Sequence, residues 1–164
     1  MSNAPAGEVL IRPAREEEIG AVLALWQEAE APPSPTDSPG SLQNLVRRDP
    51  EALLVAEARG EIIGSLIAGW DGWRGNLYRL AVRPSHRRMG VAHMLVGEAV
   101  RRLRRNGAVR INAQVILADP RATGFWTAAG FAHDPRMARF LVGRTVPPTG
   151  NDGGATNPRS TERA

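Results

Sequence analysis

The chain has 164 residues, close to the roughly 100 to 150 of a typical domain, so one structural unit with its own core is expected. All 21 basic residues are Arg, and there is no Lys and no Cys; this excludes a Walker-type phosphate loop, a Schiff base, a lysine base, a thiol nucleophile, disulfides and a thiolate zinc site. The net charge of +4 divides unevenly: residues 1–73 carry 5 Arg against 12 acids, a balance of −7, and residues 74–144 carry 14 Arg against 3, a balance of +11.

Glu8 to Arg12 reads as a strand ended by Pro13. From Arg15 to Ala29, Ile19, Val22, Leu23 and Trp26 share one helical face, and Glu16, Glu17 and Glu18 fill the first turn, where the helix dipole favours negative charge. The segment APPSPTDSPG, 31–40, places four prolines in ten positions and forms a stiff loop. A short helix over Ser41 to Arg48 follows. Ala52 to Ala58 and Glu61 to Trp70 are apolar runs joined at Arg59-Gly60, the spacing of a β-hairpin. The turn WDGWRG, 70–75, leads into Asn76 to Val82, so three adjacent antiparallel strands are expected.

After the segment SHRRMG, 85–90, a long helix runs to Arg105, with Asn106-Gly107 as its stop signal. Val91, Ala92, Leu95, Val96, Ala99, Val100 and Leu103 form its apolar stripe, and Arg101, Arg102, Arg104 and Arg105 fall mostly off it. Ala108 to Leu117 reads as a buried strand reached by a right-handed parallel crossover. Asp119 caps a further helix with Pro120 in its first position, closing at Gly130; Phe131 to His133 and Arg139 to Val142 finish as strands. Residues 145–164 have almost nothing to bury and are expected to be disordered, leaving 1–144 as a single domain. This order describes an α+β fold: a mixed, mostly antiparallel sheet with helices on both faces.

No apolar run reaches the roughly 18 residues of a membrane span, and the start lacks a signal-like pattern, so a cytoplasmic protein with no membrane partner is expected. There is no G-x-S-x-G elbow and no H-E-x-x-H helix. His86, His93 and His133 have no metal-ligand spacing, so no metal is expected. Arg101 to Arg105 lacks interleaved aromatics, and no nucleic-acid partner is expected.

The stretch Leu80-Ala81-Val82-Arg83-Pro84-Ser85-His86-Arg87-Arg88-Met89-Gly90-Val91-Ala92 carries the chemistry. A strand ends, a turn follows, and a helix begins whose first amides lack intrahelical acceptors. Such a terminus binds phosphate; Gly90 lets the anion approach the backbone, and Arg87 and Arg88 add charge. L-A-V-R-P followed by R-R-M-G-V-A resembles the acetyl-coenzyme A signature, Q/R-x-x-G-x-G/A, of the GNAT superfamily of N-acetyltransferases. Asp119-Pro-Arg-Ala-Thr-Gly-Phe-Trp-Thr-Ala-Ala-Gly-Phe131 resembles the family's N-x-x-A-x-x-F-Y-x-x-x-G-F segment, with Ala122, Phe125, Gly130 and Phe131 in place. The chain looks closest to small single-domain bacterial members of unassigned substrate.

The resemblance, which covers residues 8 to about 142, implies a GNAT fold whose parallel crossover joins the fourth and fifth strands. It also implies acetyl-coenzyme A as co-substrate. The backbone of Leu80, Ala81 and Val82 would pair with the pantetheine arm. Arg87, Arg88, Met89, Gly90, Val91 and Ala92 would cradle the pyrophosphate, while Asp119, Phe125 and Trp126 would line the arm's other side. The implied reaction is direct attack of a primary amine, of a small molecule or a peptide, on the thioester, with a backbone amide near Leu80 to Val82 polarising the carbonyl.

The departures are as informative as the matches. Trp126 stands where the family usually has a tyrosine acid, Gln114 where the ribosomal-protein acetylating branch has a glutamate base, and Asp119 where the motif has asparagine. Tyr78, on the same face as Leu80 in an unbulged strand, is a candidate acid, and Asp71 a weaker candidate base. The missing tyrosine and glutamate keep a second reading in play, a non-catalytic acyl-coenzyme A binding module with the same fold. The acidic first half suits a cationic amine, with Glu28 and Glu30 as candidate contacts and Trp26, Trp70 and Trp73 as a candidate aromatic wall. Pairing of two chains into a homodimer is left open.

Overall fold

Apolar residues on both sides of each central strand place a helical layer on either face of one sheet. The computed structural model describes residues 8–143, so the tail expected to be disordered lies outside it. The elements are β1 (Leu10–Pro13), α1 (Ile19–Glu28), α2 (Pro39–Arg48), β2 (Leu53–Ala58), β3 (Glu61–Trp70), β4 (Gly75–Val82), α3 (Val91–Arg105), β5 (Ile111–Ala113) and α4 (Pro120–Ala128). The strands lie in the order β1-β2-β3-β4-β5. The first three pairings are antiparallel and β4–β5 is parallel, which gives the mixed α+β sheet and crossover expected. None of the described helices is long and apolar enough to cross a membrane.

One face packs Leu54, Ile63, Leu66 and Leu77 against Val91, Leu95, Ala99 and Leu103 of α3 and Trp126 of α4. The other packs Leu53, Val55, Ile67 and Ala81 against Ile19, Val22 and Trp26 of α1 and Leu42 and Val46 of α2. Trp26 thus belongs to the core, where its Nε1–H donates to Ser65 Oγ at 2.8 Å. Ser65 is fully buried. Trp26→Phe strands that hydroxyl and is expected to cost about 1–2 kcal/mol of stability, measured by urea unfolding.

Local chemistry sets the element ends. The β2–β3 hairpin turns at Arg59 and Gly60, both with positive φ, as a two-residue hairpin of matching twist requires. Ser38 caps α2 by accepting from Ser41 N, and Asp119 caps α4 by accepting from Arg121 N and Ala122 N. Before α1, residues Glu16–Glu18 form a 3-10 turn, so the α-helix begins later than Arg15. Arg12 joins that turn to β2, donating to Glu18 and Glu57. This pairing lowers the Glu18 carboxyl from 4.5 to about 2. A depressed carboxylate stabilises the fold above its unfolded value, and that contribution drains away as pH falls from 4.5 towards 2. Glu18→Gln should therefore flatten the acid limb of a stability-against-pH curve.

Three expectations are corrected. The strand expected over Ala108 to Leu117 is only Ile111–Ala113: it pairs with Gly75 to Leu77 alone, and Val109, Ile116 and Leu117 are exposed. Phe131 to His133 and Arg139 to Val142 form no strand; Phe140 and Val142 are exposed among the described residues, with no buried face to hold them in a ladder. Arg102 is not on the solvated face of α3 but only 3 % exposed. It donates to the Ala68 carbonyl at 2.9 Å and to both oxygens of Asp49 at 2.5 Å, tying α3 to β3 and to the α2–β2 connection.

Candidate active site

β5 ends at Ala113 opposite Leu77, and Gln114 N adds one further bond to the Leu77 carbonyl at 3.1 Å. β4 runs on to Val82. Among the described residues, no strand lies beside 78–82 on that edge, so apart from the Val82 carbonyl, which Arg87 Nε reaches, the outward backbone groups there are open to a ligand added as a strand. This is the stretch that holds Leu80, Ala81 and Val82.

β4 is also bulged there. Ser65 pairs with Ala81 and Ile67 with Tyr78, so Arg79 and Leu80 together oppose Leu66, and Arg79 takes φ +55. The extra residue reverses the alternation. Leu80 and Val82 pack on the α3 face, and Tyr78, opposite Ile67, lies on the face of α1 and α2 with Ala81. Tyr78 and Leu80 are thus not on one face as unbroken counting gave.

Just beyond β4 the chain turns through Pro84–His86 and enters α3. Gly90 is the N-cap at φ +82, and no side chain caps the helix. Among the described residues a Cβ added to Gly90 would meet nothing within 4 Å, so there is room beside the backbone at the start of α3. The backbone and dipole there suit an anion, and only a residue at ease with positive φ holds the Gly90 position without strain. Arg88 is exposed and takes φ +65; among the described residues it has no hydrogen-bond or ionic partner. Arg87 is differently employed: Nη2 donates to the Ala29 carbonyl at 3.0 Å and Nε to that of Val82 at 3.3 Å. Its guanidinium fastens the turn to α1, leaving its backbone for the cradle. Met89 is exposed and Val91 buried, while Ala92 follows on the helix's first turn.

Phe125 of α4 meets His93 of α3 edge-on at 4.8 Å, and Trp126 meets Phe125 and Phe131 at 5.4 and 4.9 Å. α4 is thereby set beside the start of α3. Phe125 is half-buried, but Trp126 is sunk in the core and acts as packing; its indole cannot release a proton in any case. The Asp119 carboxylate caps α4, and the amides of Ala122 and Arg121 hold it below the usual carboxylate range. Gln114 is exposed where β5 leaves β4 and, being neutral, is no base.

Asp71 is not brought to this place. It lies in the turn before Gly75, at the other end of β4, where Oδ1 accepts from Trp73 N and Arg74 N at 2.8 and 2.6 Å. Those two amides lower its pKa, a turn role that opposes service as a base. The aromatic wall is not assembled either: Trp26 is in one core, Trp70 packs on the opposite face, and Trp73 is exposed under the Arg74 guanidinium at 3.9 Å. Glu28 pairs with Arg83 at 3.3 Å, a cation it shares with Glu61, and Glu30 remains exposed at the end of α1. Among the described residues no cluster of His, Asp and Glu could hold a metal.

An open strand end thus lies beside an uncapped helix terminus within the segment Leu80 to Ala92. The profile of the acetyltransferase (GNAT) family matches residues 19–131. The chain belongs to the GNAT acetyltransferase family. Within it, an acetyltransferase of Pectobacterium atrosepticum is 34% identical over 105 residues, 64% of this chain and 74% of the relative. Two solved structures share the GNAT fold. Ard1 from Thermoplasma volcanium has a TM-score of 0.68 at 21% identity, with 76% of this chain and 82% of that one covered. The PaiA N-acetyltransferase from Thermoplasma acidophilum, solved in complex with coenzyme A, has a TM-score of 0.68 at 17% identity, covering 77% and 91%.

Sequence reasoning missed Arg79 and its partners on the loop over 31–38. The signal was present: strict alternation puts Arg79 on one face with Leu77 and Ala81, both buried. A bulge relieves that conflict.

Proposed function

We propose that this GNAT protein is an N-acetyltransferase that uses acetyl-coenzyme A to acetylate a primary amine of a small molecule or peptide by direct attack. The observation that carries this reading is the unpaired end of β4 next to the uncapped N-terminus of α3. When bound, acetyl-coenzyme A supplies an activated acetyl thioester. The amides of Arg88 to Ala92 and the Arg88 guanidinium would hold its anionic end, and the edge of Leu80 to Val82 would align the arm. Phe125 would exclude water from the other side. A backbone N–H at the bulge would stabilise the oxygen on which charge develops.

Tyr78 is the candidate proton donor. Partial burial raises its pKa, so the hydroxyl stays protonated but is a weaker acid than a free phenol, and its part is to hydrogen-bond and then protonate the departing coenzyme thiolate while water takes the proton released by the amine. Tyr78→Phe is expected to lower kcat by about 10²-fold with coenzyme A affinity unchanged; an unaltered kcat would remove Tyr78 from the reaction.

Thiol release with polyamines, aminoglycosides, amino acids and peptides tests the function. Preference for cationic amines would point to Glu30, and equal turnover of neutral and cationic amines would end that charge argument. The buried Trp126, in the place of the family's tyrosine, favours a second reading as a non-catalytic acyl-coenzyme A binding module. Tight binding without thiol release across the panel would select it.

A further inference from the structure

The bulge that would polarise the acetyl carbonyl is held from outside the sheet by the side chain of its own left-handed residue. Arg79 reaches across to the segment between α1 and α2. Nε donates to Asp37 Oδ1 at 2.9 Å, Nη2 pairs with Asp37 Oδ2, and Nη1 donates to the Pro32 carbonyl at 2.8 Å. The guanidinium lies 4.8 Å from the centre of the Trp26 ring. The pair is well covered, the Arg79 and Asp37 side chains being 19% and 16% exposed.

Each end of this clamp is itself fixed. Asp37 Oδ2 accepts from Ser34 N at 2.8 Å, and Asp37 N donates to the Ser34 carbonyl at 2.9 Å. Trp26 is anchored to Ser65, and Ser65 pairs with Ala81, immediately after the bulge. A closed circuit therefore runs from Arg79 to Trp26, Ser65, Ala81 and back along β4. Left-handed φ is unfavourable for an arginine, and this circuit over-determines it.

We infer that Arg79 is a positioning residue: by clamping residues 32–37 and Trp26 it fixes the direction of the bulge amides, so the segment between α1 and α2 and the acetyl-polarising backbone move as one unit. This rests on the reading of the bulge as the carbonyl-polarising element. Its consequence is that an acceptor pressing on residues 32–37 would be felt at the thioester through one side chain.

The test uses Arg79→Gly, which keeps a backbone suited to positive φ while removing the clamp, and Asp37→Asn, which leaves β4 untouched. In the free protein, amide exchange at Ser34, Thr36, Asp37 and Ser38 should quicken by about tenfold or more in both variants. With carbonyl-labelled acetyl-coenzyme A, the infrared carbonyl stretch should fall on binding to the wild type. Both variants should lose most of that fall while binding coenzyme A within about twofold of wild type. Arg79→Lys, keeping the charge but not the fork, should restore part of it. A wild-type carbonyl with no downshift would remove the bulge's polarising role, and the coupling with it. A wild-type downshift kept in full by both variants, or loop exchange unchanged in both, would overturn the coupling alone.

Discussion

Gly90→Val is expected to weaken coenzyme A binding by about 100-fold, equivalent to ~2.7 kcal/mol, in a titration calorimeter. Two effects act together. At φ +82 any L side chain is strained by roughly 1–2 kcal/mol, a β-branched one most, and the free variant relieves that strain by moving the turn away from its present geometry, which binding must then restore. The added methyls also stand in the room beside the backbone at the start of α3, where a Cβ now meets nothing and a phosphate would sit. Gly90→Ala, with the strain but little of the bulk, should lose about tenfold. Binding by Gly90→Val within about threefold of wild type would show that the anion is held elsewhere.

Arg102→Ala is expected to destabilise the fold by about 2–3 kcal/mol in urea unfolding, without changing coenzyme A affinity. The substitution leaves the Ala68 carbonyl without its donor and Asp49 without its cation. Asp49 keeps some contact with water, its side chain being 29% exposed, which holds the loss below that of a fully buried pair. Asp49→Asn, which can still accept, should cost about 1 kcal/mol. A loss below about 0.5 kcal/mol for Arg102→Ala would mean that the ion pair contributes no more than a surface one.

Much of the fold was legible because its signals are local. Arg59-Gly60 marked the hairpin, Asp119-Pro120 the start of α4 and Asn106-Gly107 the end of α3, each through backbone chemistry that a few residues determine. The strand, turn and uncapped helix start at Gly90 were legible for the same reason: Gly90, its neighbouring arginines and the strand before them are contiguous. What escaped depends on contacts between distant segments. Arg102 looks like its neighbours Arg101 and Arg104 until Asp49, 53 residues away, is seen to meet it. The bulge at Arg79 is an answer to tertiary conflict, and its partner Asp37 is 42 residues away. Counting along an unbroken strand therefore misplaced Tyr78 relative to Leu80. Trp126 was read from its motif position as lining the cleft, whereas edge contacts with Phe125 and Phe131 draw it into the core. Glu28 likewise seemed available to an amine until Arg83 claimed it.

The central claim is that coenzyme A lies along the end of β4 and against the start of α3. Titrating ¹⁵N-labelled protein with coenzyme A and following amide chemical shifts tests it most directly. The largest perturbations are expected at Leu80 to Val82 and Arg88 to Ala92, with little change around Trp73, Arg74, Asn106 and Gly107, which line a surface depression at the opposite end of the sheet. Perturbations concentrated at that opposite end, with 80–82 and 88–92 unmoved, would contradict it.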